Sequence, residues 1–346
     1  MFFTSENTQE KKTLQHYLPK ESWIHDSRHS AKMGLFSFRN PLPITQMEPT
    51  QIQRPRAPSP SPFSTPTVET PIKSREYNSN YLSRKSTLAA IRLYEPRSRP
   101  DGMILNIPYN RVVKYGRDVQ LAEAAALRFV AKNTTIPVPK VYYAFEHKHV
   151  KYIVMDRIDG EEIGKGWSER PEGERTSLLR QLKGYFDQLR NIPHPRPGII
   201  AAVDMQKLYE PRTYKGREGF GPFAKEVDFN QFLRFGIQKE DGFFEATGDN
   251  SCITDEERIC FTHGDASSSN ILVKNGKIVA MIDFELSGFY PEYWEYTCAM
   301  NVNSQDGFWK AEIGKFLDTY PMELEIEETR RKHFGPRGLR GRYAWA

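Results

Sequence analysis

The chain has 346 residues, 38% of them apolar and 27% charged, which is enough for one large domain or two modest ones. It has no run of eighteen apolar residues and no apolar run behind a basic start, so we expect neither a membrane span nor a secretory signal. The three cysteines have no zinc-like spacing and favour a reducing compartment, so we expect a cytoplasmic protein.

The net charge of +5 is unevenly distributed along the chain. Residues 1–150 carry 22 basic and 12 acidic side chains, residues 151–329 carry 21 and 32, and residues 330–346 carry six and none. A nucleic-acid-binding protein would be more uniformly basic, so we expect no nucleic-acid partner. Two interpretations of the acidic middle stay open. It is either a solvated acidic body between basic tails or an acidic cleft that attracts a cationic small molecule.

Residues 1–75 show little hydrophobic periodicity and include the segment QRPRAPSPSPFSTPTVETP. Such a composition buries too little apolar surface to offset the entropy of ordering, so a disordered tail is expected. Order is expected to begin between Tyr77 and Leu105.

Residues 76–158 are predicted to form a strand-rich first lobe. MILNI (103–107) and RVVKY (111–115) have the composition of two strands joined by a short connection. The Ala- and Leu-rich residues 119–132 predict a helix, with Asp118 as its N-cap. Two further strands, VYYAF (141–145) and YIVMDRI (152–158), follow the extended segment that the prolines of IPVPK impose.

Residues 159–329 are predicted to be mainly helical. The apolar stripe of residues 174–192 predicts a long helix, and residues 227–237 and 308–320 predict two amphipathic ones. Residues 270–283 are the exception, because the Lys-Asn-Gly-Lys centre of NILVKNGKIVAMID predicts a β-hairpin. We therefore expect two lobes with a hinge near residues 155–160, followed by a basic tail at 330–346.

The segment FTHGDASSSNILVKNGKIVAMIDFE (261–285) places Asp265, Asn270 and Asp283 beside the two strands of this hairpin. Protein kinases use an Asp, four residues and an Asn, with a second Asp further on, because the first carboxylate must reach a hydroxyl while the other two groups hold magnesium. A single carboxylate of this kind is more often a turn residue or a cap, but the joint spacing is specific. A metallohydrolase site built on His263, Asp265 and Asp283 is a less favoured alternative, because further His and Asp clusters are lacking.

The stretch HGDASSSNILV followed by IDFELSGFYPEYWEY is similar to the signature of aminoglycoside phosphotransferase-like kinases, in the version found in fungal genomes. In the first lobe, VVKYG, the Glu-bearing helix, IPVPKV and YIVMDRIDG resemble the same family. The resemblance implies an α+β fold that is bilobal and protein-kinase-like, with a small β-rich N-lobe (76–158) that binds nucleotide and a larger helical C-lobe (159–329). It also implies the transfer of the γ-phosphoryl group of ATP, with Mg²⁺, to a hydroxyl of a small molecule.

The resemblance also implies a role for particular residues. Asp265 resembles the catalytic base, and Asn270 and Asp283 resemble the magnesium ligands. Lys114 resembles the lysine that holds the ATP phosphates, and Glu123 resembles its ion-pair partner.

The hinge segment Met155–Ile158 resembles the adenine-binding part of the family, where main-chain groups of Asp156 and Ile158 would bind the base. His263 is interpreted as a structural residue that packs the loop.

Two departures from the family pattern leave a second hypothesis open. Gly102 is the only glycine between Tyr94 and Val113, so no Gly-rich loop precedes Lys114, and the small residues 266–269 replace the usual Leu-containing turn. The alternative is therefore a pseudokinase-like protein that binds a nucleotide or another ligand without turnover. The sequence indicates neither the substrate nor the oligomeric state.

Overall fold

The computed structural model describes residues 75–94, 103–210, 213, 218–233, 258–301 and 306–334. All of them belong to one unit of the chain, Thr65–Ala346. The predicted disordered tail lies outside the described residues except for Arg75, which has a defined place in the fold. In the described part, no helix combines the length and apolar character that crossing a bilayer requires.

The first lobe is built on a four-stranded antiparallel sheet. Its strands are β1 (Met103–Ile107), β2 (Arg111–Gly116), β3 (Val141–His147) and β4 (Val150–Asp156), in the spatial order β1-β2-β4-β3. Because alternate residues of a strand point to opposite faces, Val113 and Val154 lie on the outer face, where α1 (Tyr81–Tyr94) covers them through Ile91. The other face is packed against α2 (Leu121–Asn133).

A short segment before α1 extends this sheet at the edge formed by β3. The main-chain groups of Tyr77 and Ala144 exchange two hydrogen bonds, each of 2.9 Å. Two residues earlier, the Arg75 guanidinium reaches Asp204 of the second lobe, with Nε 2.6 Å from Oδ2. The chain therefore touches both lobes before its first helix begins.

The predicted elements of the first lobe are present: β1 has its predicted bounds, and the others have shifted ends. The prediction of Asp118 as the N-cap is wrong, because Gln120 is the cap of α2 and Asp118 lies two residues before it. The strand predicted at 152–158 runs over Val150–Asp156, because its partner β2 begins at Arg111, opposite Asp156, and offers no residue to pair with Ile158.

The second lobe contains α3 (Glu172–Arg190) and the predicted hairpin. The apolar stripe of α3, which comprises Leu178, Leu179, Leu182, Phe186 and Leu189, is buried as predicted. The hairpin consists of β7 (Ile271–Lys274) and β8 (Lys277–Met281), and the two-residue β5 (Glu161–Glu162) pairs with β7. Its turn residues Asn275 and Gly276 have positive φ values of 52° and 70°, as a two-residue hairpin turn requires.

A second small sheet and four more helices complete the described part of this lobe. The sheet pairs β6 (Ile259–Thr262) with β9 (Gly288–Pro291), and the helices are α4 (Glu226–Leu233), α5 (Trp294–Ala299), α6 (Lys310–Ile313) and α7 (Pro321–Phe334). The helix α4 matches the start of the predicted 227–237 helix, whose end lies outside the described residues. The expected α+β class is confirmed, although the described part of the second lobe contains five short strands as well as its helices.

Two predictions about the C-terminal part need correction. The helix predicted at 308–320 is wrong in length, because Gly314 caps α6 and the chain continues in tight turns in which the Phe316 N–H donates to the Ile313 carbonyl. The predicted basic tail begins inside α7, where Arg330 is buried. Residues 335–346 of that predicted tail lie outside the described residues.

Candidate active site

Lys114 of β2 lies at the centre of three carboxylates. Its Nζ is 2.8 Å from Glu123 Oε2, 2.8 Å from Asp283 Oδ1 and 3.1 Å from Glu285 Oε2. A four-residue connection from β2 to α2 places Glu123 in the first turn of the helix, directly behind the lysine. The ion pair predicted between Lys114 and Glu123 is confirmed, and the ammonium also contacts Asp283.

The charges of this cluster do not balance within the described residues, since three carboxylates share one ammonium. Burial alone would lower the pKa of Lys114, but Glu123, and then Asp283 and Glu285, outweigh burial and raise that pKa above its ordinary value. Burial raises the pKa of Glu123 to about 7, although Lys114 acts in the opposite direction. Burial also raises the pKa of Glu285. An added positive charge, whether a proton or a metal ion, would therefore stabilise the cluster.

The loop after β6 brings Asp265 and Asn270 together. The Asn270 side-chain Nδ2 donates to the Asp265 carbonyl at 3.1 Å, and the Asn270 carbonyl accepts the N–H of Ile282 at 2.9 Å. These two bonds fix the loop against the end of β8. The next residue, Asp283, adopts the left-handed conformation (φ 63°, ψ 60°), which Asp tolerates better than most residues and which turns its carboxylate towards Lys114.

His263 holds the start of this loop and is not available as a metal ligand. Its Nε2 lies 3.0 Å from the Ile282 carbonyl, and its Nδ1 accepts the N–H of Asp265 at 3.2 Å. A carbonyl can only accept, so the ring is the neutral tautomer with the proton on Nε2. The predicted structural role of His263 is confirmed, and the metallohydrolase alternative loses one of its three ligands.

Glu295, which stands in the sequence only as part of the family motif EYWEY, supports the start of the catalytic loop. This buried side chain of α5 accepts the main-chain N–H groups of His263 at 2.6 Å and Gly264 at 3.1 Å. Burial raises the pKa of Glu295. Gly264 has φ +85°, and a Cβ there would lie 2.7 Å from the Leu286 carbonyl oxygen, so only glycine fits.

The predicted metal ligands have the chemistry that magnesium requires. The predicted ligand Asp283 keeps 37% of its side-chain surface exposed, and Glu285, which was not among the predicted ligands, keeps 35%, so the second oxygen of each can reach a cation. Asn270 uses its amide nitrogen towards Asp265, which leaves its oxygen for a metal. Oxygen atoms of Glu123, Asp283 and Glu285 lie within 4.8 Å of one another, but the Lys114 ammonium contacts all three. Hard oxygen donors with excess negative charge fit Mg²⁺.

Asp156 and Ile158 lie at the junction of the two lobes. The N–H of Asp156 donates to the Lys140 carbonyl at 3.0 Å, and its carboxylate accepts the Tyr142 hydroxyl at 2.8 Å. Ile158 follows β4 in the connection between the lobes. The main-chain N–H of Asp156 is therefore already engaged, and the peptide groups near Ile158 are the better candidates for a planar base.

A strand lysine paired to a helix glutamate, opposite a loop that presents Asp and Asn, is the arrangement of phosphoryl-transferring enzymes of the protein-kinase type. The model of the Phosphotransferase enzyme family matches residues 111–331 of this chain. This match covers more than half of the sequence, and the chain belongs to that family. Together with the two lobes described above, family membership confirms the expected protein-kinase-like fold.

The structure is also similar to solved aminoglycoside phosphotransferases. The gentamicin complex of APH(2'')-IIa is 16% identical, with 73% of this chain and 86% of that chain covered and a TM-score of 0.47. The streptomycin–ATP–APH(2'')-IIa ternary complex is 15% identical (73% and 88%, TM-score 0.46), and the apo form of a thermostable APH(4)-Ia mutant is 17% identical (68% and 77%, TM-score 0.40). No curated protein matched the sequence.

Proposed function

We propose that this chain is an ATP-dependent phosphotransferase that moves the γ-phosphoryl group to a hydroxyl of a small molecule. The observation that carries the proposal is the contact of Lys114 with Glu123 on one side and Asp283 on the other. A buried lysine held between carboxylates of the two lobes is an unusual arrangement for stability alone, but it is the one that holds ATP phosphates. Membership of the phosphotransferase family supports the same reaction class.

In the proposed reaction, Asp265 accepts the proton of the substrate hydroxyl. The hydroxyl oxygen forms a bond to the γ-phosphorus while the bond from that phosphorus to the β,γ-bridging oxygen breaks, and ADP leaves. Lys114 stabilises the negative charge of the phosphates, with Glu123 holding the ammonium in place. Asn270 and Asp283 would hold magnesium, which supplies charge neutralisation when bound.

The two lobes divide these tasks in the proposal. Residues 76–158 bind the nucleotide, with the peptide groups around Asp156 and Ile158 next to adenine. Residues 159–329 carry the catalytic loop and the substrate site. The acidic composition of this second part favours a cationic substrate, and we propose that the protein acts in the cytoplasm.

Thermal unfolding with nucleotides tests the binding half of the proposal. ATP with magnesium should raise the Tm of the wild-type protein, because a ligand that binds only the folded state stabilises it. The Lys114→Met variant should lose most of this shift, whereas Lys277→Met, which changes an exposed lysine at the start of β8, should keep it. The absence of a nucleotide-dependent shift in the wild type, or an equal shift in both variants, would contradict the proposal.

The connection between β1 and β2 favours a second candidate, a nucleotide-binding protein without turnover. This turn contains no glycine, and Tyr109 and Asn110 have positive φ values of 67° and 55°. A Tyr in that conformation is uncommon, and Tyr109 is 88% exposed. The hairpin therefore lacks the main-chain freedom of a Gly-rich phosphate loop. Magnesium-dependent ATP binding without release of ADP would favour this candidate.

A further inference from the structure

A turn between α5 and α6 contacts the catalytic loop at two points. Asp306 accepts two hydrogen bonds from Ser268, one from the main-chain N–H to Oδ2 at 2.8 Å and one from the Oγ hydroxyl to Oδ1 at 2.7 Å. Three residues later, the Trp309 indole Nε1 donates to the Ala266 carbonyl at 3.0 Å. We call residues 306–309 the brace. Its first and last residues, Asp306 and Trp309, hydrogen-bond to the loop between Asp265 and Asn270.

The brace is itself held firmly. Asp306 and Trp309 are 8% and 1% exposed. The main-chain N–H of Trp309 donates to the Asp306 carbonyl at 2.9 Å, which closes the turn. The Trp309 ring lies 5.2 Å from that of Trp167 in an edge-to-face contact and 5.6 Å from that of Phe316. A buried indole in such contacts has one orientation, so its N–H is a fixed donor.

Gly164, which follows the short strand β5, packs closely against the same loop. A Cβ added at Gly164 would lie 2.9 Å from the Cβ of Ser268 and would also overlap its hydroxyl. Glycine at position 164 therefore leaves room for the Ser268 side chain, whose hydroxyl donates to Asp306. By contrast, a Cβ at Gly307, inside the brace, would meet no atom within 4 Å.

The composition of the loop explains why it needs such support. Residues 266–269 are Ala-Ser-Ser-Ser, whose side chains bring little packing of their own. The Asp265 carboxylate accepts one hydrogen bond from within the loop, that of the Ser267 N–H at 3.3 Å. The orientation of the Asp265 carboxylate therefore depends on how well the backbone of residues 266–268 is fixed. Asp306 and Trp309 both hydrogen-bond to that backbone.

We propose that Asp306 and Trp309 are positioning residues that orient Asp265 for phosphoryl transfer. This inference rests on the proposed function, in which Asp265 accepts the proton of the substrate. A displacement of about 1 Å in a catalytic group can lower turnover by about 10²-fold, so a loosened brace should be visible in kcat. In the described part, no hydrogen bond or ion pair joins either residue to Lys114, Asp283 or Glu285, so nucleotide affinity should not depend on them.

Two variants remove one contact each. Asp306→Asn keeps the side-chain volume but turns an N–H₂ group towards a Ser268 donor, and Trp309→Phe keeps an aromatic ring but loses the indole donor. Each should lower the kcat of magnesium-dependent ATP hydrolysis by about 10- to 100-fold and change the nucleotide Kd by less than about 2-fold. Gly164→Ala, which displaces Ser268, should act in the same direction. Gly307→Ala is the matched control within the brace and should leave both quantities unchanged.

Hydrogen exchange of the loop amides gives a readout that does not require activity. In Asp306→Asn, the main-chain amide of Ser268 should lose protection by about 10-fold or more, since its acceptor is disturbed, whereas Gly307→Ala should match the wild type. Unchanged exchange together with unchanged kcat in the Asp306 and Trp309 variants would overturn the inference. A parallel loss of kcat and nucleotide affinity would also overturn it, because that pattern indicates general unfolding. If the wild type hydrolyses no ATP, the proposed function fails, and the exchange data alone decide whether the brace holds the loop.

Discussion

At the scale of single residues, the surplus of negative charge around Lys114 is the feature that most directly links structure to chemistry. Glu123 is 1% exposed and is committed to the lysine, whereas the Asp283 and Glu285 side chains are 37% and 35% exposed. The two partly exposed carboxylates can therefore accept a cation from solvent without breaking the buried pair. Their mutual repulsion would be relieved by a divalent ion together with the phosphates that it accompanies.

Asp283→Ala should abolish the magnesium-dependent part of ATP binding. The substitution removes the carboxylate that follows strand β8 and contacts Lys114 at 2.8 Å. Calorimetric titration of ATP with and without magnesium measures the difference directly. Asp187→Asn, on the outer surface of α3 in an exposed pair with Lys183, is the control and should keep the magnesium effect. An unchanged magnesium effect in Asp283→Ala would assign the metal to other ligands.

At the scale of elements, the segment before α1 lies outside residues 111–331, which match the family. Tyr77 pairs with the edge strand β3, and the Arg128 guanidinium of α2 lies 3.5 Å above its ring. Arg75 then reaches Asp204, whose side chain is fully buried, and the Lys207 carbonyl at 2.9 Å. The segment thus covers an exposed sheet edge and ties the first lobe to the second.

Arg75→Ala should lower the free energy of unfolding by about 3 kcal/mol, because it leaves the buried Asp204 carboxylate without its charged partner. Urea denaturation measures the change. Arg84→Ala is the matched control, since its pair with Glu76 is 33% and 43% exposed and should contribute less than about 1 kcal/mol. Equal effects of the two variants would show that the contact between the lobes adds nothing to stability.

The helix α7 contains a buried ion pair that should make stability depend on pH. Arg330 donates to both oxygens of Glu327, at 2.6 and 2.7 Å. Burial alone would raise the pKa of Glu327, but Arg330, and then Arg331, outweigh it and lower that pKa. A carboxyl whose pKa is lowered by folding adds stability that is present above its unfolded pKa of about 4.3 and is lost as the pH falls through the folded value.

Glu327→Gln should therefore be less stable than the wild type at pH 7, by about 3 kcal/mol, because Arg330 loses the charge that compensates its burial. The difference should shrink below about pH 4, where the wild-type carboxyl is itself protonated. Urea denaturation at a series of pH values measures both. A difference that stays constant from pH 7 to pH 3 would show that the carboxylate charge is not the source of the stabilisation.

At the scale of the whole molecule, the sequence predicts what depends on local pattern. Strand alternation, the Lys-Asn-Gly-Lys turn and the apolar stripe of α3 predict β1 to β4, the hairpin of β7 and β8, and α3 itself. The pair of Lys114 and Glu123 is also accessible from sequence, because only nine positions separate its members on adjacent elements.

The remaining contacts of the site, and the contact of Arg75 with the second lobe, join residues that no local pattern relates. Glu295 lies 32 positions from His263, Asp306 lies 38 positions from Ser268, and Arg75 lies 129 positions from Asp204. The sequence next to an acidic residue does not show whether its side chain is solvated or buried against a distant loop. Their roles follow from the packing of the second lobe, which the sequence indicates only through the family resemblance.

We propose that the cleft between the lobes transfers the γ-phosphoryl group of ATP, with Asp265 as the proton acceptor. The most direct test of this claim is the release of ADP from ATP by wild type and Asp265→Asn, with magnesium and a panel of hydroxylated small molecules, aminated ones included. We predict magnesium-dependent ADP formation by the wild type, stimulated by at least one compound that becomes phosphorylated. Asp265→Asn should bind ATP equally well and turn over about 10²- to 10⁴-fold more slowly. Equal rates for the two proteins, or ATP binding without any ADP formation, would contradict the claim.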